Sequence, residues 1–335
     1  MKTKKLLVAV AVLAVALAGC MGGSQTGTGT ESPSSDSGQN ATVDGALRLL
    51  NESVSDVEDA PVLFVFGEDV SVDEVEQDMI QARDKAQRAR EMAEKLEDEG
   101  ELDPERARSL RATADVVIGV AKGDILHARA HKDLERARRD LRRASTSNVD
   151  PLDGALEDVE SARQKLNESQ SVYAETNSTL TQLDDPAVDI SPVRDHLVYQ
   201  HEEHMPFMRP LGDGWESYVE GLRSLYTGLG TVSVYLEDGE LSHERWRQAS
   251  DTFETANTSF NNSLDSFDEY MGVKPAEGKG SIQRSQAESF ISSLRTLRQT
   301  ATEFRRAADA GAEGNTDLAD ERVQEARRLL GEVSG

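Results

Sequence analysis

From Val72 the chain sets small or apolar side chains at Val72, Val75, Met79, Ala82, Ala86, Ala89, Ala93 and Leu96, in strict steps of three and four. On a strand these residues would fall on both faces, whereas on an α-helix they form a single stripe, so the segment reads as a long helix packed against other helices. The next residues make it one arm of a hairpin. In "EDEGELDPERA" the glycine at 100 stops one helix, while Asp103 as N-cap and Pro104 at the first helical position start the next. Long helices joined so tightly fold back on each other.

The same pattern recurs along the chain. Ala107, Leu110, Ala114, Val117 and Ala121 form a seam, and Leu134, Ala137, Leu141 and Ala144 resume it in a shifted phase. The phase change predicts a kink or short break at Gly123-Asp124. Further seams run through Leu156, Val159, Leu166, Tyr173, Leu180 and Leu183; through Tyr218 to Leu236; and from Trp246 to Tyr270. Another spans Ala287 to Ala308, and a last short helix carries Leu318, Val323, Ala326 and Leu330. The turn "YLEDGELSHERWR" resembles "KLEDEGELDPERAR", but no fixed period emerges, and helices this long are not those of a thirty-four-residue repeat. The expectation is an all-α chain of long antiparallel helices in one or two bundles. Seams are alanine-rich over 44–186 and aromatic-rich over 187–335, with the break in "LDDPAVDISPVRD". A single elongated bundle is the alternative.

Upstream of the helices the composition changes. Lys2, Lys4 and Lys5 precede an apolar run from Leu6 to Ala18, a charged n-region and an h-region. The run falls short of the roughly 20 apolar residues a membrane span needs. It ends in Leu17-Ala18-Gly19-Cys20, and Cys20 is the only cysteine. This ending resembles the lipobox of prokaryotic lipoprotein signals, which implies that 1–19 is cleaved and that Cys20 is lipidated. A body without cysteine forms no disulfide and depends on burial for its stability. Residues 20–43 are then a lipidated cysteine and a Gly/Ser/Thr tether, a coil with a reach on the order of 25 Å for about twenty residues. The resemblance places the folded body at the outer face of the cytoplasmic membrane.

The charge of the chain narrows its partners. It carries 37 basic and 62 acidic residues, and beyond the signal only seven lysines remain against twenty-seven arginines. An acidic, lysine-poor chain resembles proteins of salt-loving archaea; self-repulsion is screened when the Debye length shrinks to about 3 Å at 1 M salt. A nucleic-acid partner is disfavoured, because phosphates demand a basic footprint. Six of the nine asparagines lie in Asn-x-Ser/Thr sequons, at Asn40, Asn51, Asn167, Asn177, Asn257 and Asn261, as expected of a glycosylated surface protein.

Histidine offers the only constellation with chemistry in it. His127 and His131 are four apart in "HARAH", and His196, His201 and His204 lie in "DHLVYQHEEHMPFM" with Met205 and Met208. If the two segments converge, they can hold zinc, copper or iron between helices, with the methionines suiting copper(I). The spacing places His201 and His204 on one face. "HEEH" is one residue short of a metalloprotease helix, and "GLG" at 228–230 lies in a seam, so it is no dinucleotide loop. Arg136, Arg138, Arg139, Arg142 and Arg143 read as a solvated helix end paired with acids. "PVLFVFGED", from Pro61 to Asp69, reads as a segment crossing a bundle end or as a docking patch. No nucleophile, general base or cofactor loop stands in context. The leading expectation is a non-enzymatic interaction or structural lipoprotein without a cofactor, tethered to the membrane and engaging another envelope protein. The alternative is a metal- or small-ligand-binding lipoprotein that uses the His/Met segments.

Overall fold

The computed structural model describes residues 41–64, 70–145, 148–238, 241–273 and 283–333. Among these the chain is predominantly helical, with α1 (Val43–Asp59), α2 (Val72–Asp98), α3 (Pro104–Leu141), α4 (Asp150–Thr181) and α5 (Ser191–Val198). A π-helical turn, Tyr199–His204, then leads into α6 (Met205–Asp238), α7 (His243–Tyr270), α8 (Arg284–Ala312) and α9 (Thr316–Val333). The described residues form no β-strand, only an isolated bridge between Ser145 and Asn148 in the α3–α4 turn. No helix among them is long and apolar enough to cross a membrane.

Local chemistry sets the helix ends. Gly100 adopts φ 72°, the left-handed conformation that ends α2, and lets Glu101 N–H and Leu102 N–H turn back to the Leu96 carbonyl at 2.9 and 3.1 Å. Asp103 then accepts from Glu105 N–H and Arg106 N–H at 3.1 and 3.0 Å, with Pro104 opening α3 as its spacing predicts. Thr42, Ser71 and Ser242 cap α1, α2 and α7 in the same way. Each such cap contributes about 1 kcal/mol.

The predicted stripes are largely the buried faces, with Val72, Leu156 and Leu183 only half-buried. Val75, Met79, Ala82, Ala86, Ala89, Ala93 and Leu96 of α2 are all buried, as are Trp246, Phe253, Phe260, Phe267 and Tyr270 of α7. Helices α1 to α4 pack each against the next, as do α6 to α9, and α6 also lies along α4. The aromatic half stacks ring on ring: Phe253 lies parallel to Phe304 at 5.2 Å, and Trp215 meets Phe267 edge-on at 5.6 Å. In α9 the buried face runs through Ala319, Val323, Ala326 and Leu330, and Leu318 is exposed; the stripe starts one residue later than its periodicity indicated.

The expected break at Gly123-Asp124 is absent, for α3 runs unbroken for 38 residues. The seam changes phase there because that part of α3 is enclosed on several sides, with Val116, Val117, Val120, Gly123, Asp124, His127, Ala128 and His131 all buried. Gly123 is needed for clearance. A β-carbon on it would lie 2.4 Å from the Tyr173 ring of α4. Gly228, from the "GLG" of α6, has the same role toward Phe253 of α7, at 2.6 Å.

Helix α5 and the π-turn fold back onto α1, α3 and α4. Pro206 supplies no N–H to the carbonyl four residues before it, so the α-helical ladder fails just where the chain widens into the π-turn. Non-helical Pro61–Phe64 lies over the same region, with Val62, Leu63 and Phe64 buried and Phe64 against His204. Its continuation, 65–69, lies outside the described residues.

Candidate functional site

Three elements place polar side chains in one layer of the interior. Helix α3 contributes Asp124, His127 and His131, which its pitch puts on one face. Helix α5 and the π-turn contribute His196, Gln200 and His204, successive residues four apart, and α4 contributes Tyr173. All are sealed from solvent, with exposures of 5% at Asp124, 1% at His127, 7% at His131, 3% at His196 and 0% at His204.

Asp124 organises one half of this layer. Its carboxylate accepts from the Tyr173 hydroxyl at 2.6 Å, from His196 Nε2 at 2.9 Å and from the Gln200 amide nitrogen at 3.2 Å. A carboxylate only accepts, so Gln200 must present its nitrogen to Asp124 and its oxygen to the other side. That oxygen lies 2.9 Å from His204 Nδ1, which therefore carries the proton. His204 Nε2 is left as a bare lone pair, buried and without a hydrogen-bond partner. The Tyr173 hydroxyl is pushed well above its ordinary range by burial and by the Asp124 charge, so it stays a donor.

The other half is made of imidazoles. The Nε2 atoms of His127 and His131 are 3.2 Å apart, and the His127 ring is centred 4.9 Å from His131 and 5.1 Å from His204. Burial, followed by the neighbouring imidazoles, holds His127 well below its ordinary range. Burial and Arg138 bring His131 down to about 4, and burial with His131 and His196 brings His204 down to about 3. At neutral pH these three rings are uncharged. Phe64 covers His204 edge-on at 4.9 Å and Tyr199 stacks on it at 5.9 Å. As the side chains stand, no group of three or more His, Cys, Asp or Glu residues among those described is drawn together enough to hold a metal ion.

The two histidine segments named by the sequence thus meet, though not through every residue. His201 is only half-buried, because the inward face of the turn is set by the four-residue steps 196, 200 and 204, and the next residue is rotated off it. Met205 and Met208 are buried in the apolar core. Sequence reasoning missed Asp124, Tyr173, Gln200 and Phe64. Asp124 carried a signal, an acid within "VVIGVAKGDILHARAH", where a charge set among apolar residues needs buried partners.

Cys20 and Asn40 lie outside the described residues. At Asn51, Asn167 and Asn261 the sequon serine is a core residue: Ser53, Ser169 and Ser263 donate across helix interfaces to the carbonyls of Ala82, Gly123 and Gly214 at 2.7 to 2.8 Å. Asn257 and Asn261 line an open polar groove of about 370 Å³ with Arg298 and Thr302, whose side chains donate to the two amide oxygens. Asn177 lies partly exposed on α4. Among the arginines, Arg136 pairs with Asp158 and Arg143 with Asp140, and Arg138 sits 5.6 Å from the Trp215 ring, so these side chains are engaged within the fold.

Comparison of the chain with protein-family models, with curated proteins and with solved structures found no match.

Proposed function

We propose that this chain is a membrane-tethered lipoprotein, held at the outer face of the cytoplasmic membrane by Cys20, whose helical body binds a ligand without transforming it. The observation that carries the binding reading is the sealed layer in which His127, His131 and His204 meet, three neutral imidazoles with one nitrogen left bare. Leaving a buried acceptor unsatisfied costs about 1–3 kcal/mol, so a bundle with no use for the layer would be more stable with apolar residues there. Enclosure favours retention over turnover, because a substrate needs a path in and a product a path out.

The tether reading rests on the lipobox-like ending at Cys20, on the Gly/Ser/Thr stretch after it, and on a body whose first described helix is capped by Thr42. A partner among envelope proteins would exchange the ligand or receive the body on its acidic surface. The test is Cys20→Ser in the native host. The expected result is transfer of the protein from the membrane to the soluble fraction with its helical circular dichroism unchanged, and retention in the membrane would refute the tether.

A further inference from the structure

We infer that α5 and the π-turn are an acid-operated gate on the histidine layer: when its imidazoles take up protons, Ser191–His204 comes away from α3 and opens the site. The inference rests on the binding reading of that layer and names how a sealed site is entered and left. All four buried histidines of the chain, His127, His131, His196 and His204, lie where α3 faces α5 and the π-turn, whereas His201 is half-buried and His243 exposed. The buried faces of α7 and α8 carry no histidine and no carboxylate. Acid therefore changes the charge of the α3–α5 interface and leaves those seams as they are.

The layer has no place for the added charge. Protonated His127 and His131 would be like charges with Nε2 atoms 3.2 Å apart, and His204 would add a third beside His127. Of the surrounding elements, α3 brings Asp124 and Arg138 and α4 brings Tyr173, while the buried face of α1 and Pro61–Phe64 bring no titratable group. On the turn itself Glu202 and Glu203 are exposed. Asp124 can balance one positive charge, and its oxygens already serve Tyr173, His196 and Gln200. Asp133, further along α3, is paired with Arg136 and Lys165, and Arg138 opposes a charge on His131. Further imidazolium charges must reach water or pay the full cost of burial. The element free to move is α5, which stands between the irregular stretch 183–190 and a π-turn where the α-helical ladder is already interrupted. At neutral pH its buried Ile190, Val193 and Leu197 hold it closed.

Hydrogen exchange of the full chain carrying Cys20→Ser, in molar salt at pH 7 and 5 and corrected for the intrinsic effect of pH on exchange, reads the opening. His131 and His204 stand at about 4 and about 3 when closed, against an ordinary 6.5 when open. From pH 7 to 5 each therefore shifts the balance toward the open form by about 20-fold, and the two together by several hundredfold. Amides of 191–204 should lose protection by that factor, with two or more protons taken up per opening, and at pH 5 they should be at least tenfold less protected than those of α7 and α8. His204→Leu should remove about 20-fold of the response and His201→Leu none of it, with circular dichroism confirming that each variant is folded. Equal protection of α5 and α7 at pH 5, uptake of fewer than two protons in the unsubstituted layer, or a full response in folded His204→Leu would overturn the gate. Protection that holds at pH 5 in a protein found with a bound species removes the gate and leaves the binding reading, while a gate that opens in a protein found empty stands without it.

Discussion

Replacing Gly123 by alanine tests whether α3 is continuous because of tight packing or merely tolerates a flexible point. An exposed glycine in mid-helix gains up to about 1 kcal/mol when changed to alanine, because the unfolded chain loses freedom and the helix loses none. At position 123 the added β-carbon would lie 2.4 Å from one Tyr173 ring atom and within 2.8 Å of two others. The ring cannot retreat, since it is fully buried and its hydroxyl is held by Asp124 at 2.6 Å. Overpacking of this kind costs about 1–3 kcal/mol. After subtracting the propensity gain, Gly123→Ala should destabilise the protein by up to about 2 kcal/mol. Gly230→Ala is the control, because a β-carbon there meets nothing within 4 Å, and it should stabilise by up to about 1 kcal/mol. Urea unfolding followed by helical circular dichroism, in molar salt, measures both. A Gly123→Ala variant stabilised as much as Gly230→Ala would refute the packing argument and restore the hinge.

The buried polar layer has consequences of its own. Burial first brings His131 and His204 to folded-state pKa values of about 4 and about 3, below the ordinary 6.5, so the unfolded chain takes up protons first as the pH falls. Stability fully present above about pH 6.5 is therefore lost on acidification, by about 2 kcal/mol per imidazole between pH 6.5 and 5. Urea midpoints at pH 7 and 5 check this, and a His131→Leu/His204→Leu variant with an equally steep loss would contradict it. Tyr173→Phe removes a donor from the buried Asp124 carboxylate and should cost about 1.5–3 kcal/mol, measured in the same way. In Gln200→Leu, His204 loses the acceptor for its Nδ1 proton, so nitrogen-15 spectra of the protein should change from one tautomer to a mixture. Glycopeptide mapping should find more glycan at Asn177 than at Asn51, Asn167 or Asn261, whose sequon serines are tied into helix interfaces.

How far the sequence discloses this fold depends on what each residue contributes. Apolar periodicity names the buried face of α2, α7 and α8 because helix pitch and burial act on the same residues, and the Gly100 and Asp103 signals end and start helices by purely local chemistry. Gly123 and Asp124 misled because their reasons are distant in the chain: an aromatic ring fifty residues on, and a histidine and a glutamine more than seventy residues on. His127 and His131 could be paired from their spacing, but only the fold of α5 onto α3 reveals His204 as their neighbour and His201 as an outsider. The sequon serines show the converse. Ser53 and Ser263 read as halves of a modification signal, while in the fold they are small core residues whose hydroxyls bond a facing helix.

Whether the histidine layer holds a ligand is decided soonest by mass spectrometry, under non-denaturing conditions, of the protein purified from its native membrane. One bound species per chain, lost in His204→Gln, is the predicted result. A natively folded protein with nothing bound would contradict it, leaving the histidine layer as a polar core.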